Sequence, residues 1–146
     1  MSCDLETGLY AIYSTVDTNP LDICRDPPGP REPVVVSDQG AVVFFVDKLD
    51  GPNCTYYIRV SHDNDHRFLR NVDGVVTASE DRMIPQEWVI NNYGEGTYTI
   101  VENSYPPIQA WTDSTGTPGC GRPIRITPKP MIPRVDPIFV FMFVPA

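Results

Sequence analysis

The chain has only two histidines, His62 and His66, both in the acidic segment Ser-His-Asp-Asn-Asp-His at residues 61–66. An imidazole can activate a serine, threonine or cysteine, and imidazoles with carboxylates can bind a metal. Here both histidines fall in a predicted loop between two strands, where polar side chains are simply solvated. The sequence also has neither standard glycine-rich phosphate loop. We therefore predict no catalytic residues, no metal site and no cofactor, and a protein that is not an enzyme.

Basic side chains in stiff loops are the more informative feature. Residues 25–33 read Arg-Asp-Pro-Pro-Gly-Pro-Arg-Glu-Pro and place Arg25, Asp26 and Arg31 in a loop between the second and third predicted strands. Proline fixes φ, so such a loop loses less entropy when it docks. The sequence leaves two interpretations open: a turn stiffened for folding, or a loop that offers a basic side chain to an acidic pocket.

A second stiff segment, residues 128–137, reads Pro-Lys-Pro-Met-Ile-Pro-Arg-Val-Asp-Pro and contains Lys129, Arg134 and Val135. Residues 116–135 hold four basic side chains and no acidic one, a local inversion of sign in an acidic chain. A third segment, residues 80–85, places Arg82 before two apolar residues, but its single proline makes it less stiff.

An internal repeat indicates the elements that position these loops. The triplet Tyr-x-Ile occurs at Tyr10, Tyr56 and Tyr98, at intervals of 46 and 42 residues. Each triplet lies in an alternating segment, residues 8–14, 55–60 and 96–102, as half-buried strands require. Apolar runs at residues 42–46, 88–90 and 138–144 predict three more strands. Six shorter candidates are residues 21–24, 34–37, 67–70, 75–78, 108–112 and 123–127.

About twelve short strands in three units of about 45 residues predict an all-β fold of β-trefoil type, a single domain over residues 1–146. In a trefoil six strands close a barrel and three hairpins cap it. A propeller needs four or more blades, and an immunoglobulin-like sandwich has no threefold repeat. We expect little helix and a core formed by the residues Tyr10, Ile12, Phe44, Tyr56, Ile58, Trp88, Tyr98, Ile100 and Phe141.

Charge and cysteine spacing narrow the partners. The net charge of −8 argues against nucleic acid, because phosphate binding needs clustered Lys and Arg. No segment has the apolar length of a membrane span or the pattern of a signal peptide, so we predict a cytoplasmic monomer with no membrane partner. Cys3, Cys24, Cys54 and Cys120 are far apart, and in a reducing compartment we expect free thiols.

Several motifs together resemble the mushroom (basidiomycete) β-trefoil protease inhibitors. They are the opening Glu-Thr-Gly-Leu-Tyr-Ala-Ile at residues 6–12, Glu-Trp-Val-Ile at residues 87–90 with Gly-Thr-Tyr-Thr-Ile at residues 96–100, and the proline-rich lead into the last apolar run. The resemblance covers the whole chain and is greatest to the cospin and cnispin type, which inhibit serine proteases. It implies a cytoplasmic defence protein that inserts one loop into the active site of a trypsin-like protease.

The same resemblance suggests reactive residues. The loop between the second and third strands points to Arg25, followed by Asp26, with Arg31 next. The loop before the last strand offers Lys129, or Arg134 followed by Val135. Asp26 directly after Arg25 and Pro130 directly after Lys129 depart from the residues that favour binding in a protease active site. The residues around Arg134 suit such binding better. We place Arg25 first.

Two alternatives remain open at this point. In the sister branch, the mycocypins such as clitocypin and macrocypin, inhibition is of papain-like cysteine proteases or of legumain, and Asn64 occupies the loop that legumain recognises. A glycan-binding lectin is the third possibility, because Gln-x-Trp occurs at residues 86–88 and 109–111. That motif is largely a core feature of such lectins.

Overall fold

The structure, a computed structural model, describes residues 3–104, 106–114, 120–130 and 132–146. Within these ranges the chain forms twelve strands and one short 3₁₀ helix, Pro137–Phe139. The strands are β1 Gly8–Ser14, β2 Leu21–Ile23, β3 Arg31–Val36, β4 Phe44–Lys48, β5 Thr55–Val60, β6 Phe68–Val72, β7 Val75–Ser79, β8 Trp88–Gly94, β9 Thr97–Glu102, β10 Gln109–Asp113, β11 Arg122–Pro128 and β12 Phe141–Pro145.

Every strand pair is antiparallel, and all twelve strands belong to one sheet. The pairings run from β10 through β11, β3, β7, β6, β5, β4, β1 and β12 to β9, and β9 pairs with β10 again. Ten strands therefore close on themselves. β8 pairs with β9 and β5, and β2 pairs with β3. Closure leaves few unpaired strand edges.

The predicted fold class requires a correction. The sequence predicted a β-trefoil, a six-stranded barrel capped by three separate hairpins, and this is wrong: ten strands close an antiparallel barrel and two further strands pair with it. The physical reason is that the strands expected only as hairpins also pair more widely. β3 pairs with β7, β11 pairs with both, and β6 pairs with β5. Over the residues that the structure describes, the all-β class and the predicted number of about twelve strands are confirmed.

The barrel interior is filled by the alternating residues that the sequence singled out. All nine predicted core residues are buried, because their strands turn every second side chain inward. Aromatic rings meet edge to face within this core: Tyr10 and Tyr98 each contact Phe143, and Trp111 contacts both Trp88 and Phe141. Each large apolar side chain buried in this way stabilises the fold by a few kcal/mol, about 1.5–3.

The apolar run predicted as one strand over residues 138–144 is divided in the structure. Asp136 caps a 3₁₀ helix by accepting the Ile138 N–H at 3.1 Å, and Pro137 occupies its first turn. Proline fits a helix start because it has no N–H to satisfy there. Phe139 and Val140 then join Val101, Ala110 and Val135 in a second, smaller apolar cluster outside the barrel core.

The prediction of free thiols is wrong. Cys3 is bonded to Cys54, and Cys24 is bonded to Cys120. The sequence separations of 51 and 96 residues are too long for spacing to reveal the partners. Cross-links across such loops stabilise a fold by about 4 kcal/mol each, chiefly by restricting the unfolded chain.

The segment before β1 packs under the barrel. Tyr56 donates its hydroxyl hydrogen to the Leu5 carbonyl oxygen at 2.7 Å, and Tyr10 donates to the Glu6 carbonyl at the same distance. Burial raises the pKa of Tyr56 to about 12, with smaller contributions from Tyr98 and Tyr10. The described ranges hold no helix of the length and apolarity needed to cross a membrane.

Candidate functional site

The loop between β2 and β3, residues 24–30, is the first of the predicted basic segments. It begins at Cys24, whose disulfide to Cys120 fixes its entry, and it contains Pro27, Pro28 and Pro30. Arg25 and Asp26 are both exposed on it. Arg31, predicted to be part of the loop, instead begins β3, where it is opposite Ser79 of β7. The loop is therefore shorter than the sequence suggested.

Arg67 ties this loop to the neighbouring loop between β5 and β6. Its Nη1 donates to the Gly29 carbonyl at 3.1 Å, and its Nη2 donates to the Glu32 carboxylate. Its Nε and Nη2 also grip both oxygens of Asp65, at 2.9 and 2.7 Å. Such fork-to-carboxylate bonds are among the strongest side-chain hydrogen bonds. One guanidinium thus holds two loops in a fixed relation.

Glu32 is the buried member of this network. Its side chain is only 4% exposed, and its second oxygen accepts the Gly29 N–H at 3.3 Å. A carboxylate this far from water needs a cationic partner, since an unpaired buried charge is very costly. The Arg67 guanidinium is this cationic partner. Glu32, fixed by Arg67, in turn holds the backbone bend at Gly29 through its hydrogen bond.

The network sets the charge of Asp65. Burial alone would raise the pKa of its carboxyl, but the hydrogen bonds from Arg67, with the positive charge of Arg25, outweigh burial and hold the pKa below its usual value. The two carboxylates in turn raise the pKa of Arg67 above its usual value, with Asp65 the larger cause. Asp65 and Arg67 are therefore both charged at neutral pH.

Arg25 lies at the edge of this network and is held only loosely. Its Nη2 is 3.5 Å from Asp65 Oδ2, its Nε is 4.0 Å from Glu32 Oε1, and its side chain is 45% exposed. Ion pairs of this kind contribute at most about 1 kcal/mol. Arg25 can therefore leave them for a stronger partner.

The loops around Arg67 enclose an open depression of about 840 Å³. Its lining joins two residues that the sequence placed in different loops, Arg25 and Asn64, with Asp81 from the segment after β7. Asn64 is exposed on a four-residue turn closed by two backbone bonds between His62 and Asp65, at 3.0 and 3.4 Å. The structure thus brings the serine-protease and legumain candidates to one surface.

The histidines in this loop are engaged separately. His66 Nδ1 is 3.1 Å from Arg59 Nη1, and His62 Nε2 is 3.8 Å from the exposed carboxylate of Asp63. No group of three or more metal-ligating side chains occurs among the residues that the structure describes.

The second basic segment packs elsewhere, against β8 and against Ile108, the residue directly before β10. The Lys129 N–H donates to the Ile108 carbonyl at 2.9 Å, and the Val135 N–H donates to the Tyr93 hydroxyl at 3.1 Å. Val135 is buried in the second apolar cluster, whereas Arg134 is exposed. Residue 131 of this segment lies outside the described residues.

Part of the local charge inversion is neutralised in the fold. Arg122 donates to both oxygens of Asp113, at 2.8 and 3.0 Å, and its Nη2 lies 2.7 Å from Asp17. Arg122 is therefore a structural side chain that joins β10 and β11 to the β1–β2 loop. This pairing was not predictable from the sequence, because Asp17 is far away along the chain.

The tryptophans of both Gln-x-Trp motifs are fully buried. Trp88 and Trp111 meet edge to face with ring centroids 5.5 Å apart, and Trp88 donates its indole N–H to the Leu69 carbonyl. Neither ring can stack on a sugar. Both tryptophans belong to the core, which was predicted for Trp88.

Sequence reasoning missed Arg67 and Glu32, on which the geometry of the loops depends. The two residues are 35 positions apart and have no periodic relation. The only local sign was an acid, Glu32, between prolines at the start of a predicted strand.

Comparison with known proteins finds a likeness among solved structures. No protein-family model and no curated protein matches the sequence. Among solved structures, a proteinase inhibitor from Coprinopsis cinerea superposes with a TM-score of 0.79 at 15% sequence identity, over 98% of this chain and 100% of that one. The chain therefore shares its fold with a proteinase inhibitor. The particular inhibitor branch that the sequence resembles stays a prediction.

Proposed function

We propose that this chain is a protease inhibitor that presents Arg25, on the β2–β3 loop, to the primary specificity pocket of a trypsin-like serine protease. The observation that carries the proposal is the Arg67 network, which fixes the loop while Arg25 stays exposed. A loop ordered before binding loses little entropy on docking. An arginine that enters an acidic pocket gains a desolvated, charge-assisted bond in place of two long surface ion pairs.

The shared fold supports this proposal, because the similar structure is that of a proteinase inhibitor. The arrangement around Arg25 adds support that does not depend on the likeness. Cys24, directly before Arg25, is held by a disulfide, and Gly29, four residues after it, is held by Arg67. The loop is thus anchored on both sides of the residue that enters the protease.

The other basic candidates are less suited to this role. Arg31 is part of β3 and donates to both oxygens of Asp81, at 3.0 and 3.2 Å. Arg134 is exposed, but the side chain of Val135 after it is buried. A protease could therefore not bind the Val135 side chain unless that side chain left the second apolar cluster. Lys129 is half-buried and is followed by proline. We therefore rank Arg25 first and Arg134 second.

Inhibition of legumain is the second candidate function, and one observation favours it. Asn64 projects from the turn at residues 62–65, beside the Arg25 loop and on the same depression. A protease that cleaves after asparagine would bind this turn. The papain-like alternative has no comparable observation in its favour, and the burial of Trp88 and Trp111 removes the motif that suggested a lectin.

The deciding experiment measures inhibition constants against trypsin, chymotrypsin, subtilisin, papain and legumain, with a glycan array run in parallel. We expect trypsin to be inhibited, and Arg25→Ala to weaken inhibition about 100-fold or more, as truncation of an interface anchor does. Arg134→Ala is the matched control, an exposed arginine in the other stiff segment, and should inhibit as the parent does.

Other outcomes would redirect the assignment. Loss of trypsin inhibition with Arg134→Ala alone would move the site to the second segment. Inhibition of legumain alone, abolished by Asn64→Ala, would establish the second candidate. Glycan binding without inhibition of any protease would contradict the proposal.

Compartment and oligomeric state are part of the same proposal. We infer from the two disulfides that the chain works where thiols are oxidised, because disulfides are rare in reducing compartments. This inference disagrees with the cytoplasmic location predicted from the sequence, which stays a prediction. We expect a monomer that binds one protease molecule, which sedimentation of the mixture would measure.

A further inference from the structure

The loop between β7 and β8, residues 80–87, presents the two most exposed large apolar side chains among the described residues. Met83 is 74% exposed and Ile84 is 82% exposed, and they are neighbours in the chain. Single exposed apolar residues are common on protein surfaces. Two adjacent ones at a loop tip, preceded by the exposed Arg82, form a compact apolar contact surface, which we call the Met83–Ile84 tip.

An arginine side chain from strand β6 forms hydrogen bonds with the backbone of this tip. Arg70 of β6 donates from Nη2 to the Met83 carbonyl at 2.7 Å and from Nη1 to the Ile84 carbonyl at 2.8 Å. The loop is also anchored further along, where Gln86 accepts the Asn71 N–H at 2.7 Å and donates to Glu102 at 2.8 Å. The backbone under the apolar side chains is thus ordered in the free protein, and order before binding favours affinity.

The Met83–Ile84 tip is tied to the Arg25 loop. The Glu80 N–H donates to the Pro30 carbonyl at 3.0 Å, and Arg31, the first residue of β3 directly after the Arg25 loop, forms an ion pair with Asp81. Asp81 and Arg25 both line the open depression. Two rigid loops, one basic and one apolar, therefore lie side by side.

The size of a protein interface argues that both loops contact one partner. Stable complexes bury about 800 Å² on each side, from roughly 20–30 residues. The Arg25 loop, residues 24–30, is too small to supply this area by itself. Of the two loops linked to it, the one at residues 61–67 is polar, whereas the loop at residues 80–87 offers large apolar side chains, which interface cores favour.

We propose that the Met83–Ile84 tip is a second protease-binding element, which fills an apolar subsite of the same serine protease that receives Arg25. This inference rests on the proposed function and names a further part of its site. The charges between the two loops are paired with each other through Arg31 and Asp81. The contact made by Met83 and Ile84 is apolar, and it adds affinity without altering which basic residue enters the primary pocket.

The test compares inhibition constants and dissociation rates for trypsin. The double variant Met83→Ser with Ile84→Ser should raise the inhibition constant about 10- to 100-fold, mainly through faster dissociation. Val16→Ser is the control: Val16 is 49% exposed on the β1–β2 loop and should have no effect. Arg70→Lys keeps the charge but loses the fork, so it should weaken inhibition less while leaving the apolar side chains in place.

The outcomes separate this inference from the proposed function. If Arg25→Ala abolishes inhibition and the double serine variant inhibits like the parent, the tip is not a contact and the proposed function stands. If the parent inhibits no protease, both fail. If the parent sediments as a dimer that the double variant dissociates, the tip binds a second copy of the chain and the inference is wrong.

Discussion

The two proline-rich basic segments look alike in sequence but are held in different ways. The Arg25 loop is fixed by charged side chains, because Arg67 connects Gly29, Glu32 and Asp65. The segment around Arg134 is fixed by two backbone N–H bonds and by burial of Val135. Proline content alone therefore does not define a rigid binding loop. The difference lies in the contacts that hold the backbone, which are charged side-chain hydrogen bonds in one loop and backbone bonds with apolar burial in the other. Each kind of contact can be removed separately by substitution.

The largest expected effect comes from the disulfide at the start of the Arg25 loop. Replacing Cys24 and Cys120 by Ser should reduce the free energy of unfolding by about 4 kcal/mol, because the bond closes a loop with a sequence separation of 96. Urea denaturation measures this loss. We also expect weaker trypsin inhibition at temperatures where the variant is still folded.

The matched control for that experiment is the other disulfide. Replacing Cys3 and Cys54 by Ser should cost nearly as much stability, since its separation is 51. It should leave inhibition intact, because this bond anchors the segment before β1 and not the Arg25 loop. Equal loss of inhibition in both variants would show that global stability, and not the loop anchor, controls inhibition.

An effect of similar size should come from Arg67. Arg67→Ala leaves Glu32 buried without its cation, and breaking one half of a buried ion pair costs about 3–5 kcal/mol. Thermal or urea unfolding should show this loss, together with faster amide hydrogen exchange at residues 24–30. Arg67→Lys, which keeps the charge without the fork, should recover part of the stability and less of the loop protection. A loss below about 1 kcal/mol for Arg67→Ala would contradict the role of this network.

Sequence patterns predicted local elements well where they alternate. The bounds of β1 and β5 match the predicted ones, residues 8–14 and 55–60, because alternation along a single strand is visible in the chain. Residues 138–140 were wrongly assigned to a strand, since Asp136 and Pro137 start a 3₁₀ helix there and Val140 caps its end. The capping aspartate followed by proline was a usable signal.

Contacts between distant residues were not predictable in the same way. The pairing of β3, β7 and β11 that overturned the β-trefoil prediction depends on register between strands far apart in sequence. The two disulfides and the bond from Arg67 to Glu32 have the same character. A single sequence identifies which side chains can pair but not which of them meet. The loops of the candidate site were therefore found, and their anchor was not.

Acid should loosen the Arg25 loop and leave the Arg134 segment unchanged. The pKa of Asp65 is lowered in the fold, so its stabilising contribution is present above its ordinary value of 3.8 and is lost as the pH falls through the folded pKa. Hydrogen exchange followed from pH 7 down through the folded pKa of Asp65 should show residues 24–30 losing protection, while Val135 keeps its bond to the Tyr93 hydroxyl. Asp65→Asn should remove most of this pH dependence. Loss of protection at residues 132–135 as well would indicate general acid unfolding.

The smallest expected effect is the change in the free energy of unfolding when either exposed arginine is replaced by alanine. This change decides how the inhibition data are interpreted. Arg25→Ala removes only two long ion pairs from a side chain that is 45% exposed, so the free energy of unfolding should change by less than about 1 kcal/mol. Arg134→Ala should change it by less than about 0.5 kcal/mol, as exposed surface substitutions do. If both hold in urea denaturation, a loss of inhibition seen only with Arg25→Ala measures a contact with the protease. A cost of 2 kcal/mol or more for Arg25→Ala would instead make Arg25 part of the Arg67 anchor, and its effect on inhibition would then arise from the shape of the loop.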